Sequence, residues 1–233
     1  MLLIIPAYNE QASLGGLLAE IRAVSLPVEL ATVVVDDGSA DRTAEIAREG
    51  GARVLRLCGN VGIGGAVQSG IRLARREGFD CAIQIDGDGQ HPPSELPRLL
   101  EATANADLVV GTRYREPGDN FRSTPLRRLG SWWLKLILRV IARVRVSDPT
   151  SGYRLYGKRA LALFDDTYPY DFPEPESLAV ARVSGLSITE VPVKMRERQG
   201  GSSSIVGFST IYYMLKVTVA IVLTYFRTRR RVT

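Results

Sequence analysis

The stretch Ala82-Ile83-Gln84-Ile85-Asp86-Gly87-Asp88-Gly89-Gln90-His91 decides how this chain is read. Its first four residues, mostly apolar, form a buried strand, and the acidic, glycine-broken run after them must sit where that strand ends. In an open α/β sheet the crevice beyond the carboxyl ends of the strands is where ligands bind. Two carboxylates one residue apart, with glycines that admit close backbone approach, offer hard oxygen ligands to a Mg²⁺ or Mn²⁺ that also holds phosphates. Taken alone, the run also reads as a solvated turn, because Asp and Gly are the commonest turn residues.

Upstream of this stretch the pattern repeats. Leu2-Leu3-Ile4-Ile5 is a first buried strand, Pro6-Ala7-Tyr8-Asn9-Glu10 a loop, and Leu14, Leu17, Leu18, Ile21 and Val24 recur at helical spacing. A second strand, Thr32 to Val35, runs into Asp36-Asp37-Gly38-Ser39, and Asp41 is placed to cap the helix that carries Ala44, Ile46 and Ala47. A third strand, Arg53 to Leu57, precedes Gly59-Asn60-Val61-Gly62-Ile63-Gly64-Gly65-Ala66 and another helix. Gly62 and Gly64 have dinucleotide-fingerprint spacing, but Val67 replaces the last glycine and the run follows the third strand rather than the first, so that reading fails. Downstream, Pro92-Pro93-Ser94-Glu95 starts a helix with early proline and an acid in the first turn, and Asp107 to Gly111 is a fifth strand. Strands alternating with helices predict a mostly parallel sheet covered on both faces.

After Gly111 the composition shifts. From Arg113 to Arg145 there are nine basic residues against two acids, interleaved with Trp132, Trp133, Leu134, Leu136, Ile137, Leu138, Val140, Ile141 and Val144. A helix over about 122 to 145 with adjacent tryptophans among arginines suits the lipid headgroup layer, where indoles sit at the interface and guanidinium groups meet phosphates. A core helix whose arginines snorkel to water is the alternative. Asp148-Pro149-Thr150-Ser151-Gly152-Tyr153-Arg154 turns back to a strand over Tyr153 to Tyr156, the run Tyr170-Asp171-Phe172-Pro173-Glu174-Pro175-Glu176 is followed by a short helix to Ser184, and a strand comes next over Leu186 to Val191. The loop Arg196 to Ser204 has the composition of a mobile cover over a phosphate site. The tail, Ile205 to Phe226, is about as long as a membrane span, but Lys216 interrupts it and arginines follow. An interfacial or re-entrant helix is therefore expected, with the arginines at the cytoplasmic end and the anchor completed by a second copy of the chain or a small membrane protein.

At 233 residues and net charge +5, the chain suffices for one domain with an appendage and directs attention to acidic surfaces or phosphorylated ligands; no nucleic-acid module is visible. Cys58 and Cys81 form no metal spacing and read as reduced core residues. His91 is the sole histidine, which excludes a multi-histidine metal site. No signal-peptide pattern precedes Pro6, so a cytosolic catalytic part is expected.

Four motifs occur in order: Pro6-Ala7-Tyr8-Asn9-Glu10, Asp36-Asp37-Gly38-Ser39, Asp86-Gly87-Asp88-Gly89-Gln90-His91 and Thr150-Ser151-Gly152-Tyr153-Arg154. Together they resemble family-2 inverting glycosyltransferases of GT-A fold, in the branch of dolichol-phosphate mannose synthase and bacterial polyprenyl-phosphate glycosyltransferases. The resemblance implies a Rossmann-like α/β domain over 1–204, with a nucleotide-binding half over 1–112 and an acceptor half over 113–204, and a membrane-associating tail over 205–233. It implies that Pro6, Ala7, Tyr8, Glu10, Val35, Asp37, Asp86, Gly87 and Asp88 hold the nucleotide, that Asp86, Asp88 and Gln90 hold the divalent metal, and that Glu176 is an active-site glutamate. Arg113, Arg127, Ser131, Arg198 and Ser203 match positions that grip an acceptor phosphate.

The implied reaction is transfer of a sugar from a nucleotide diphosphate sugar, GDP-mannose or a UDP-hexose, to polyprenyl phosphate at the cytoplasmic membrane face. A metal clamp with arginines suits a departing diphosphate, and a phosphate acceptor needs no strong base. Ile63 stands where many relatives carry lysine near the nucleotide, which leaves the donor open, and Ser204 stands where the loop commonly has lysine, so one phosphate contact is lost or supplied elsewhere. Two other readings are transfer to a saccharide hydroxyl with Glu176 as base, and a non-catalytic sugar-nucleotide-binding subunit of a membrane complex.

Overall fold

A computed structural model describes residues 1–114, 125–196 and 209–232. The first half alternates as expected: β1 (Leu2–Ala7), α1 (Leu14–Ala23), β2 (Ala31–Asp36), α2 (Thr43–Glu49), β3 (Arg53–Arg56), α3 (Gly62–Arg76), β4 (Cys81–Gln84), α4 (Leu96–Ala102) and β5 (Leu108–Thr112). The second half adds α5 (Pro125–Ile141), β6 (Arg154–Gly157), α6 (Lys158–Thr167), α7 (Pro173–Val183), β7 (Ile188–Pro192) and α8 (Ser209–Val232).

The sheet has seven strands in the order β3-β2-β1-β4-β6-β5-β7. Pairings β1–β2, β2–β3, β1–β4 and β5–β7 are parallel, whereas β6 lies antiparallel between β4 and β5. The consequence is positional. Because β6 runs backwards, its first residue, Arg154, pairs with Gln84 at the end of β4, so the loop before β6 arrives at the same sheet edge as the acidic run.

Alternation along β1 divides the interior in two. Leu2 and Ile4 join a core with α3, α5, α6, α7 and α8, while Leu3 and Ile5 face α1, α2 and α4. A strand buried on both faces reads as a continuous apolar run, as β1 does. Leu134 and Leu138 of α5 and Val217 and Ile221 of α8 enter the first core, each worth about 1.5–3 kcal/mol of burial.

Several local expectations are corrected. Asp41 precedes the cap position of α2, accepting from Thr43 N at 2.9 Å, while Arg42 occupies the cap itself. Pro93–Glu95 is a 3₁₀ turn leading into α4. The described part of the helix expected over about 122 to 145 ends at Ile141, where Arg143 takes a left-handed φ of 54° and Val144 and Val146 turn into the core. The helix α6 was not evident, although Ala160, Leu161 and Phe164 carry its buried face. Cys58 is exposed, because β3 stops at Arg56 and leaves it in the following loop.

Candidate active site

The carboxyl ends of β1, β2, β4 and β5 and the start of β6 come together at one edge of the sheet, the candidate cleft, and hydrogen bonds tie the loops there to one another. Asn9 N donates to Ser39 Oγ at 3.0 Å, Ala40 N to Asn9 Oδ1 at 2.9 Å and Glu10 N to Thr43 Oγ1 at 2.9 Å, which stitches the β1 loop to the β2 loop. Ser13 Oγ donates to the Gly87 carbonyl at 2.8 Å, tying the acidic run to the start of α1. Tyr8 stands half-exposed at the rim. Pro6 and Ala7 pair with Val35 and Asp36, and the Val35 side chain lies in the core.

Asp37 has a structural role that its motif did not reveal. Its Oδ1 accepts from Val61 N at 2.8 Å and its Oδ2 from Gly62 N at 2.9 Å, so it caps the N-terminus of α3. A carboxylate there satisfies orphan amides and complements the helix dipole. The glycines of this turn serve packing: a Cβ on Gly64 would lie 2.5 Å from the Pro169 carbonyl oxygen, so only glycine lets α3 approach the α6–α7 connection.

Asp86 and Asp88 follow β4 directly. The Asp86 backbone N–H donates to His91 Nδ1 at 3.0 Å, and its side chain keeps about a third of its surface exposed. Gly152 presses on it, since a Cβ there would lie 2.9 Å from Asp86 Oδ1. Asp88 is buried and its Oδ1 accepts from Gln90 N at 3.0 Å. His91 is buried against the Tyr153 ring, centroids 4.9 Å apart, and burial pushes its pKa down to about 4, with Asp88 opposing the shift. The imidazole is thus neutral at pH 7, accepting at Nδ1 and leaving the proton on Nε2.

No group of three or more His, Cys, Asp or Glu side chains able to hold a metal occurs among the described residues. Two neighbouring carboxylates at a cleft are what Mg²⁺ or Mn²⁺ needs from protein when substrate phosphates and water supply the rest. The donor set therefore fits such an ion.

Arg113 follows β5 at the same sheet edge, near enough to Asp86 to feel its charge. Its Nε and Nη2 donate to Asp148 Oδ2 at 2.8 Å and Oδ1 at 3.0 Å, a two-pronged pair with a fully buried carboxylate. Burial works against its charge, but the Asp148 bonds prevail and raise its pKa. Arg154 is wholly buried, donating to the carbonyls of Ser151 at 2.8 Å and Glu174 at 2.8 Å and to Ser177 Oγ at 2.6 Å. It locks the Pro149–Gly152 loop to the first turn of α7. Sequence reasoning did not assign it this role, although it shares a strand face with buried Tyr156.

Glu176 sits inside rather than in the open cleft: Oε1 accepts from Phe172 N at 3.1 Å and Oε2 from Thr224 Oγ1 at 2.6 Å, joining α7 to α8. Burial raises its pKa, and burial also raises that of Glu174. Ser131 Oγ is buried without a hydrogen-bond partner among the described residues. The Arg127 side chain, Arg198 and Ser203 lie outside the described residues.

Comparison with known proteins agrees with this architecture. Residues 2–164 match the model of glycosyl transferase family 2. The chain is 37% identical over 217 residues to undecaprenyl-phosphate mannosyltransferase of Micrococcus luteus, covering 89% of this chain and 88% of that one. It is 35% identical over 228 residues to polyprenol monophosphomannose synthase of Mycolicibacterium smegmatis, covering 93% and 84%. Glucosyl-3-phosphoglycerate synthase from Mycobacterium tuberculosis, solved with Mn²⁺, UDP-glucose and phosphoglyceric acid, superposes with a TM-score of 0.71 at 19% identity over 96% of this chain and 78% of that one. The last likeness establishes the GT-A fold, and the match along most of the sequence establishes more: this chain belongs to glycosyl transferase family 2.

Proposed function

We propose that the chain is an inverting, metal-dependent glycosyltransferase that moves one sugar from a nucleotide diphosphate sugar to polyprenyl phosphate at the cytoplasmic face of the membrane. The observation that carries this reading is the likeness, along most of both chains, to two relatives named for mannose transfer to such lipids. GDP-mannose is accordingly the first donor to test.

In this reading Asp86 and Asp88, with Gln90 beside them, hold Mg²⁺ or Mn²⁺. When bound, the ion neutralises charge on the departing diphosphate. The loops bearing Pro6, Ala7, Tyr8, Glu10 and Asp37 hold the nucleoside, the Asp37 cap keeping the wall of the pocket in place. Arg113, oriented by Asp148, faces the acceptor phosphate, with Arg127, Ser131, Arg198 and Ser203 as the further grips implied by the resemblance. A phosphate oxygen attacks the anomeric carbon as the bond to the diphosphate oxygen breaks on the opposite face, which inverts the centre. The attacking group is already an anion, so no general base is required. Glu176, with both oxygens in internal hydrogen bonds, is better suited to holding α8 than to deprotonating a sugar hydroxyl.

The membrane reading is supported by two exposed apolar ridges. Leu129, Trp132, Leu136 and Val140 line α5, and Leu215, Val219, Leu223 and Phe226 line α8. Trp133 points inward, donating from Nε1 to Thr218 Oγ1 at 2.9 Å, so only Trp132 of the adjacent pair is free to meet lipid headgroups. No described helix is long and apolar enough to cross a membrane.

Purified full-length protein, supplied with labelled GDP-mannose, polyprenyl phosphate and Mn²⁺, should transfer label into chloroform-soluble lipid, and EDTA should stop it. Parallel reactions with UDP-glucose and UDP-N-acetylglucosamine define the donor. Label passing only to a water-soluble saccharide would overturn the acceptor assignment.

A further inference from the structure

A second concavity lies away from the cleft. Ile188 pairs with Leu108 at the start of β5, whereas Arg113 follows Thr112 at its end. Near Ile188, Arg139 from the last turn of α5, Arg143 and Arg145 from the segment after it and Arg182 from the last turn of α7 line, with Val144 and Val146, a cavity of about 500 Å³. The local pattern explains the arrangement. Val144 and Val146 are buried, so the alternating Arg145 is turned outward.

Arg143 occupies the left-handed region at φ 54°, a conformation that disfavours side chains by about 1–2 kcal/mol. Glycine would fit that turn with less strain, yet arginine stands there. None of the four guanidinium groups makes a hydrogen bond or ion pair with a described residue. An adjoining cavity of about 420 Å³ brings Lys135 to the same side; Glu190, which also lines it, has Oε1 occupied by the N–H groups of Ser147 and Asp148 and the Ser147 hydroxyl.

Cations from three elements around one depression concentrate positive potential there, and guanidinium forks match phosphate oxygens. We propose that Arg139, Arg143, Arg145 and Arg182 form a second anion site that takes a phosphate group, carried by an anionic lipid or free in solution. Arg139 is flanked by Leu136 and Val140 of the exposed α5 ridge, so the cavity opens at headgroup level when that ridge contacts a bilayer. Only the lipid source rests on the membrane reading; the site itself is independent of sugar transfer.

The test compares full-length Arg145→Gln/Arg182→Gln with Arg48→Gln/Arg76→Gln, which removes the same charge from exposed positions elsewhere. One arm measures binding to phosphatidylcholine vesicles with and without phosphatidylglycerol. The other measures thermal shift with inorganic phosphate against chloride at equal ionic strength. The first variant should lose the response about tenfold or more, and the control should stay within about twofold of wild type. Loss confined to vesicles assigns the lipid, and loss in the phosphate arm assigns the free anion. Arg143→Gly supplies an independent check, because it should weaken anion binding without lowering the melting temperature. Identical behaviour of the two double variants in both arms, or full anion binding by Arg143→Gly, would overturn the site. Failure of sugar transfer would leave both arms unchanged.

Discussion

The cleft and the α5–α8 layer are built on opposite terms. Around the cleft, charged groups are buried and bonded: Asp37 to the α3 amides, Asp148 to Arg113, Arg154 to three carbonyls and a hydroxyl. On the outer layer, large apolar side chains meet solvent, Trp132 at 55% and Val140 at 69% exposure, and polar ties such as Trp133–Thr218 and Thr224–Glu176 join the helices. The contrast separates two tasks. Buried polar networks hold charges in one geometry, whereas an unpartnered apolar ridge is useful only when something else covers it.

The contrast is broken most strongly through His91. Its pKa in the fold is about 4, against roughly 6.5 in the unfolded chain, so below about pH 6.5 the unfolded state binds the extra proton. In EDTA, stability should fall by about 3 kcal/mol as pH drops from 6.5 to 4 and then level off for this group, and His91→Gln should remove that component. Urea denaturation across pH reads it. A smaller loss, about 1–3 kcal/mol with sharply reduced metal-dependent transfer, is expected for Gly152→Ala, whose new Cβ meets the Asp86 carboxylate. On the outer layer, Trp133→Phe should cost about 1 kcal/mol by removing the bond to Thr218. Trp132→Ala should change stability by no more than about 0.5 kcal/mol while weakening vesicle binding. Equal destabilisation by the two tryptophan variants would erase the distinction between the layers.

Much of this was legible in the sequence because apolar runs of four to six residues ending in Asp or Gly specify buried strands with loops at one edge. The Asp86–Asp88 run indeed follows β4 at that edge. The antiparallel insertion of β6 was not legible, because local pattern does not encode strand order. Asp37 reaches amides 24 and 25 residues along the chain, a contact no local spacing announces. Arg154 did leave a trace: a charged residue on the same strand face as Tyr156 signals a buried cation that needs partners. For α5, Leu134 and Leu138 pack inward as the core reading requires, while Trp132 and Val140 stay exposed and form the face on which the interfacial proposal rests.

Holding a divalent ion against a diphosphate is the role proposed for Asp86 and Asp88. Calorimetric titration of Mn²⁺ into wild type and Asp88→Asn, each saturated with nucleoside diphosphate, tests it without relying on turnover. Mn²⁺ affinity should be at least about 100-fold weaker in the variant, a loss of roughly 2.7 kcal/mol. Equal affinity in the two proteins would contradict that role.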